Sequence, residues 1–145
     1  MSISNINSIE VGRHSAFGFD STSANSWAWG GNRDGALGNN STNSQITPVA
    51  ICGSHTFCKI TGNNRAEANP FSLGIDTNGN LWSWGLNYHG QLGTNNTTCY
   101  CTPVAVCGGH YFCYASGGDT YSIGIDSSGQ AWGWGSSQVG QLEIM

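Results

Sequence analysis

Charged side chains are scarce in this 145-residue sequence, which has 8% Asp, Glu, Lys and Arg and a formal net charge of −4. Its few basic side chains are scattered, at Arg13, Arg33, Lys59 and Arg65. A surface that binds a nucleic-acid duplex needs clustered Lys and Arg to displace counterions from the phosphates. The sequence therefore predicts no nucleic-acid partner.

Long apolar segments are missing as well. No run approaches the roughly 20 apolar residues that a membrane-spanning helix needs. The first ten residues, MSISNINSIE, have neither the basic start nor the apolar middle of a signal peptide. We predict no transmembrane segment, no signal peptide and no membrane partner, and the localisation stays open. The Asn-x-Ser/Thr sequons near residues 39 and 95 are then interpreted as hydrogen-bonding loop residues.

Familiar catalytic and cofactor motifs are absent too. The sequence has no Gly-x-Ser-x-Gly elbow, no phosphate-binding loop and no dinucleotide fingerprint. His55 and His110 stand beside glycines, as polar turn residues do, and His89 falls at a position that varies between repeats. We predict that the protein is not an enzyme, with no catalytic residue and no cofactor.

The cysteines leave three interpretations open. Cysteine and histidine alternate three residues apart in two places, at Cys52, His55 and Cys58 and again at Cys107, His110 and Cys113. This spacing offers sulfur and imidazole to zinc, but it lacks a Cys-x-x-Cys knuckle and a fourth ligand. A disulfide between Cys52 and Cys58 is geometrically possible in an oxidising compartment. We favour small buried thiols that pack on a hairpin, and we predict no metal site.

Glycine and aromatic residues are abundant by contrast, with 22 Gly and 11% Phe, Trp and Tyr. The segment from Leu81 to Gly93, LWSWGLNYHGQLG, contains two tryptophans one residue apart, which point to the same side of a strand. Gly85 ends that strand, and the Asn and Gly that follow supply positive φ angles for a tight turn. The segment predicts a strand, a turn and a second strand.

The same pattern occurs three times along the chain. The tryptophan pairs are Trp27 and Trp29, Trp82 and Trp84, and Trp132 and Trp134, and the turn glycines are Gly30, Gly35, Gly85, Gly90, Gly135 and Gly140. Each pair follows a short strand that ends at Asp20, Asp76 or Asp126, whose carboxylate opens a turn by accepting backbone hydrogen bonds. Because the tryptophans keep a constant place in each unit, we interpret them as core residues rather than as a sugar-binding face.

The repeated unit has a recognisable consensus. It reads Trp-x-Trp-Gly-x-Asn-x-x-Gly-x-Leu-Gly, with Ser-x-Gly-Ile-Asp before it and Thr-Pro-Val after it. This consensus resembles the RCC1 repeat, which is named after the regulator of chromosome condensation. The resemblance implies an all-β protein built of β-propeller blades, each with four antiparallel strands, in a ring of usually seven blades.

The copy number departs from that family. We divide one repeat domain, residues 1–145, into units of about 1–60, 61–115 and a truncated 116–145, with a loop insertion at residues 63–69. A propeller ring closes with about four to eight blades. The sequence therefore predicts about three blade units in an incomplete ring, with the first unit joined partway through.

Two functional hypotheses of different class follow. The first is a structural protein whose copies join head to tail through incomplete blade edges into a ring, a filament or a particle-bound layer, or that docks on another structural protein. The alternative is a protein-binding module, or a fragment of a longer propeller, that captures a partner on its loop face. The family's founding member is a nucleotide-exchange factor for a small GTPase that docks on chromatin, but the loops and charged patches it uses have no match in this sequence. A shared fold does not choose a partner.

Overall fold

The computed structural model describes residues 3–62 and 70–142, which form eleven β-strands and one short 3₁₀ helix. The strands are β1 Ser8–Val11, β2 Ser15–Phe19, β3 Ser26–Gly30, β4 Gln45–Ala50, β5 Phe57–Gly62, β6 Phe71–Asp76, β7 Leu81–Gly85, β8 Tyr100–Ala105, β9 Phe112–Gly117, β10 Tyr121–Asp126 and β11 Ala131–Gly135. The 3₁₀ helix spans Arg33–Gly35. The predicted all-β fold is confirmed. The described residues contain no helix of the length and apolarity needed to cross a membrane.

The strands form three antiparallel sheets. The first sheet is β1-β2-β3-β4, the second is β5-β6-β7-β8, and the third has β9, β10 and β11 within the described residues. They are the predicted blade units in an open array. The predicted insertion at residues 63–69 lies outside the described residues.

The sheets begin slightly earlier than the predicted units. The boundaries near residues 60 and 115 fall inside β5 and β9, because both strands pair with the sheet that follows them; Ile60, for example, lies opposite Gly74. The first unit was expected to be joined partway through. In the structure β1 pairs with β2 along its whole length, so the first sheet has all four strands.

The hydrophobic core lies between successive sheets. One cluster joins the first and second sheets and consists of Phe17, Phe19, Ala28, Leu37, Ile51, Phe57, Ile60 and Trp84. The other joins the second and third sheets and consists of Phe71, Leu73, Ile75, Leu81, Leu92, Phe112 and Ala115. Successive residues of a strand point to opposite faces of its sheet, so alternate residues pack toward the preceding and the following sheet. Every inner sheet face is therefore buried by the next repeat.

Candidate protein interface

Neighbouring sheets are joined by a repeated pair of hydrogen bonds. The indole N–H of Trp84 donates at 2.8 Å to the main-chain carbonyl of Ala36, which follows the 3₁₀ helix in the loop between β3 and β4, and the Ser72 hydroxyl donates to the same oxygen at 2.9 Å. One repeat later, the Trp134 indole and the Ser122 hydroxyl both donate to the Gln91 carbonyl, at 2.9 and 2.7 Å. Trp84 and Trp134, the second tryptophans of the last two pairs, thus join their sheets to the preceding repeat.

The first tryptophan of each pair has a different environment. The Trp82 indole N–H donates to the carboxylate of Asp76 at 3.0 Å, within its own sheet. The imidazole of His55 lies against the Trp82 ring, with 3.9 Å between centroids. Trp132, Asp126 and His110 repeat this arrangement, with a 2.8 Å hydrogen bond and a 3.8 Å ring separation. His55 and His110 were predicted to be turn residues. The signal for their role was their constant place two residues before Phe57 or Phe112.

The first unit lacks that aspartate–tryptophan hydrogen bond. The carboxylate of Asp20 instead accepts from the hydroxyls of Thr22 and Ser23, in a longer turn. The indole nitrogen of Trp27 is consequently buried without a hydrogen-bond partner. The six predicted core tryptophans therefore divide into sheet-joining, turn-bonded and unpartnered indoles.

The aspartate turns carry lowered pKa values. Partial burial opposes ionisation of Asp76, but hydrogen bonds from Trp82, from the Asn80 side chain and from two backbone N–H groups outweigh it and hold the Asp76 pKa below 3.8. The Ser128 hydroxyl, followed by the Trp132 indole, lowers the pKa of Asp126 well below its ordinary value. Both carboxylates are therefore bound as anions by the folded chain.

Acid should release this stabilisation. Because the native pKa of Asp76 lies below its ordinary value, its contribution is complete above about pH 4 and is lost as the pH falls through the native pKa. We expect Asp76→Asn to lower the urea midpoint at pH 6 and to flatten its decline between pH 4 and pH 2. Urea titrations of both proteins across that range test this, with Glu10→Gln on β1 as the control. An unchanged slope in Asp76→Asn would contradict the assignment.

A buried asparagine stabilises the loop between β3 and β4, and another stabilises the loop between β7 and β8. Asn87 donates through Nδ2 to the carbonyls of Asn96 and Thr98, both at 3.0 Å, and accepts through Oδ1 from the Leu92 N–H at 2.9 Å. Asn32 makes the same contacts one repeat earlier. This asparagine was predicted only to form a turn. The Trp-Gly-x-Asn spacing that the first two repeats share was the available signal.

The cysteines are more exposed than predicted. All six are free thiols, none is fully buried, and Cys58, Cys107 and Cys113 are exposed. The buried-thiol interpretation was wrong, because the Sγ atoms of Cys58 and Cys113 lie at sheet edges, against the carbonyls of Ile75 and Ile125. In the described part of the chain no three His, Cys, Asp or Glu side chains cluster as metal ligands do. The absence of a metal site stays a prediction.

The two ends of the array expose apolar residues that are buried between sheets elsewhere. On the third sheet, Ile123 and Ile125 are 38% and 41% exposed, whereas the equivalent Leu73 and Ile75 are buried. We call this surface the tail face. On the first sheet, the side of Trp27 and Trp29 is turned away from the second sheet and carries Ile9, which is 64% exposed; we call it the head face. The residues equivalent to Ile9, which are Ile60 and Ala115, are both buried.

Sequence and structure comparisons agree on one family of repeats. The model of the "Regulator of chromosome condensation (RCC1) repeat" matches residues 78–125, which confirms the predicted resemblance. Human WBSCR16 is similar to this chain with a TM-score of 0.75 and 16% identity, over 90% of this chain and 33% of WBSCR16. Prp20p of Saccharomyces cerevisiae is similar with a TM-score of 0.72 and 26% identity, over 97% of this chain and 34% of Prp20p.

A phage protein has a more distant likeness. The C-terminal domain of gp131 from bacteriophage phiKZ is similar with a TM-score of 0.56 and 11% identity, over 94% of this chain and 38% of that domain. Identities this low show the fold alone. The chain spans about a third of the length of each of these three structures.

Proposed function

Since residues 78–125 match an RCC1 repeat and the three sheets are arranged like blades of an RCC1-type propeller, we propose that the chain is a non-enzymatic assembly module. A further blade packs on its tail face, and its head face packs on the blade that precedes it. The preferred partner is another copy of the same chain, added head to tail. Its role is structural, in a ring, a filament or a layer on a larger particle.

The observation that carries this proposal is the complementarity of the two end faces. Ile123 and Ile125 correspond to Leu73 and Ile75, which the following sheet buries. Ile9 corresponds to Ile60, which packs against the preceding sheet. The tail and head faces thus carry the two halves of the interface that joins the sheets inside this chain. Covering them removes exposed apolar surface from water.

Head-to-tail addition also has a simple geometric consequence. A heterologous contact closes into a ring when its rotation allows and otherwise propagates as a filament. Two copies of a three-blade array give about six blades, within the range that closes as a propeller. Closure covers both end faces of both copies at once.

Solution mass tests the assembly. We expect light scattering at micromolar concentration to give a mass well above the 15.3 kDa of one chain. The double variant Ile123→Ser and Ile125→Ser should shift the mass toward one chain, because the polar side chains no longer favour burial of the tail face. Tyr88→Ser, which changes an exposed side chain on a loop of the second repeat, is the matched control. A folded wild-type monomer at this concentration would refute self-assembly.

A protein-binding role is the second candidate. Prp20p was studied for its binding to Gsp1p and histones, and it has also been solved bound to Kap60. Those partners belong to Prp20p, but its likeness to this chain supports a protein-binding surface on an RCC1-type array. A folded monomer that binds a partner through its loop face, with wild-type affinity in the Ile123→Ser, Ile125→Ser variant, would favour this candidate over assembly.

A further inference from the structure

We propose that a specific hydrogen bond sets the register of this assembly: the indole N–H of Trp29 in one copy donates to the main-chain carbonyl of Gln141 in the next copy. The inference rests on the proposed self-assembly and names the atoms that would join the head face to the tail face.

The donor is identified by its position in the repeat, where the equivalent indoles make a hydrogen bond that Trp29 lacks. Trp29 occupies the place of Trp84 and Trp134, whose indoles bind the preceding sheet. Its own indole N–H has no hydrogen-bond partner among residues 3–62 and 70–142. Trp29 also lies on the head face, since it pairs with Ala16 on the side of the sheet away from Phe17. The donor therefore faces the direction from which a preceding blade would come.

The acceptor is identified in the same way. Gln141 follows Gly140 as Ala36 follows Gly35 and Gln91 follows Gly90. The three glycines have nearly the same left-handed backbone, with φ of 82°, 76° and 79° for Gly35, Gly90 and Gly140. The carbonyls of Ala36 and Gln91 each accept two hydrogen bonds from the next sheet, whereas the Gln141 carbonyl accepts none from the described residues.

The surroundings of the acceptor fit an incoming blade. Gln141 lines a hollow of about 240 Å³ together with Ile123, Ile125 and Ala131, at the tail face. Within the chain, the equivalent face of the second sheet is packed by Phe112 and by the ring of Trp134. An indole that reaches Gln141 from the head face of another copy would stand beside the same kind of apolar surface.

A second contact places Ile46 at this junction. Its equivalent, Cys101, lies so close to Gly35 of the preceding sheet that a Cβ on that glycine would be 2.6 Å from the Cys101 Cα. Ile46 itself is 99% exposed. In the proposed register Ile46 lies against Gly140 of the neighbouring copy, which covers an otherwise bare isoleucine.

The chain also offers a gain-of-function test. Ser72 and Ser122 each donate a second hydrogen bond to the shared carbonyl, but the first repeat has Ala16 at that position. Ala16→Ser should add the missing donor and tighten association about threefold to tenfold. Trp29→Phe keeps the ring and removes only the N–H, so it should weaken association about fivefold to tenfold.

Sedimentation equilibrium of the purified chain measures both effects as dissociation constants. Trp132→Phe is the matched control, because Trp132 lies on the side of the third sheet opposite to Ile123 and its indole N–H donates to Asp126 of the same sheet. The urea midpoint of dilute Trp29→Phe should equal that of the wild type, since the chain loses no internal hydrogen bond. Opposite shifts for Trp29→Phe and Ala16→Ser support the register.

The result that overturns the register is distinct from failure of the assembly. If the wild type associates and both variants keep its dissociation constant, the Trp29–Gln141 pairing is wrong while self-assembly stands. If the wild type remains a folded monomer, both the proposed self-assembly and the proposed register are wrong.

Discussion

Replacing Trp84 with alanine is expected to lower the free energy of unfolding by about 3 to 5 kcal/mol, as large-to-small changes of buried aromatic residues do. Trp84 has no exposed surface and packs its ring against Phe17 and Phe57, with centroids 6.4 and 5.8 Å away. Its indole also binds the Ala36 carbonyl. The variant leaves a cavity between the first and second sheets and removes one of the two hydrogen bonds that the Ala36 carbonyl accepts from the second sheet.

Urea unfolding followed by circular dichroism measures this loss. A typical domain is stable by about 5 to 15 kcal/mol, so the loss in Trp84→Ala is a large share of the total and should lower the urea midpoint strongly. Trp132→Ala is the matched control, because Trp132 is 36% exposed and joins no two sheets. We expect it to lose about 1 to 2 kcal/mol. Equal losses at the two positions would contradict the core assignment of Trp84.

The second large effect is expected at Asn87, where Asn87→Asp should destabilise the protein by about 3 kcal/mol or more. The buried amide group donates to two carbonyls, those of Asn96 and Thr98. A carboxylate oxygen in its place faces those carbonyl oxygens with no proton to share. The change alters hardly any volume, so a loss of stability reports hydrogen bonding and charge rather than packing.

The same loop contains a control for the asparagine. Asn95 is exposed, and Asn95→Asp makes the identical chemical change at the surface, where we expect an effect within about 0.5 kcal/mol. Urea midpoints of the two variants at pH 7 and pH 4 complete the test. Asn87→Asp should recover part of its stability at pH 4, because a protonated carboxyl regains one donor. If Asn87→Asp is as stable as Asn95→Asp at pH 7 and gains no stability at pH 4, the Asn87 amide does not stabilise the fold.

The repeat made much of the fold predictable. The strands around Leu73 and Ile75, and around Trp82 and Trp84, follow from the alternation of large apolar and small residues, and the glycines that end the strands indicate turns. The predicted unit boundary at residue 60 was displaced for a definite reason. Periodicity gives the length of a unit but not its phase, and whether β5 pairs backward or forward depends on hydrogen bonds to β6 that no local pattern specifies.

The candidate interface was predictable only in outline. Blade edges were expected to join, and the exposed Ile123 and Ile9 identify the surfaces that would do so. All six tryptophans were predicted to be core residues, whereas the Trp84 indole bonds the neighbouring repeat and the Trp82 indole bonds a turn of its own sheet. Two residues on one side of one strand have the same local pattern, so only their partners from distant parts of the chain distinguish them.

The sequence by itself determined the blade. The Trp-x-Trp-Gly pattern, the aspartate turns and the buried-asparagine spacing act over fewer than a dozen residues, the range in which backbone preference and hydrogen bonding to nearby groups operate. The tertiary structure alone decided which faces are covered. Whether an isoleucine is buried, as Ile60 is, or bare, as Ile9 is, depends on the sheet stacked beside it, and that contact joins residues a whole repeat apart.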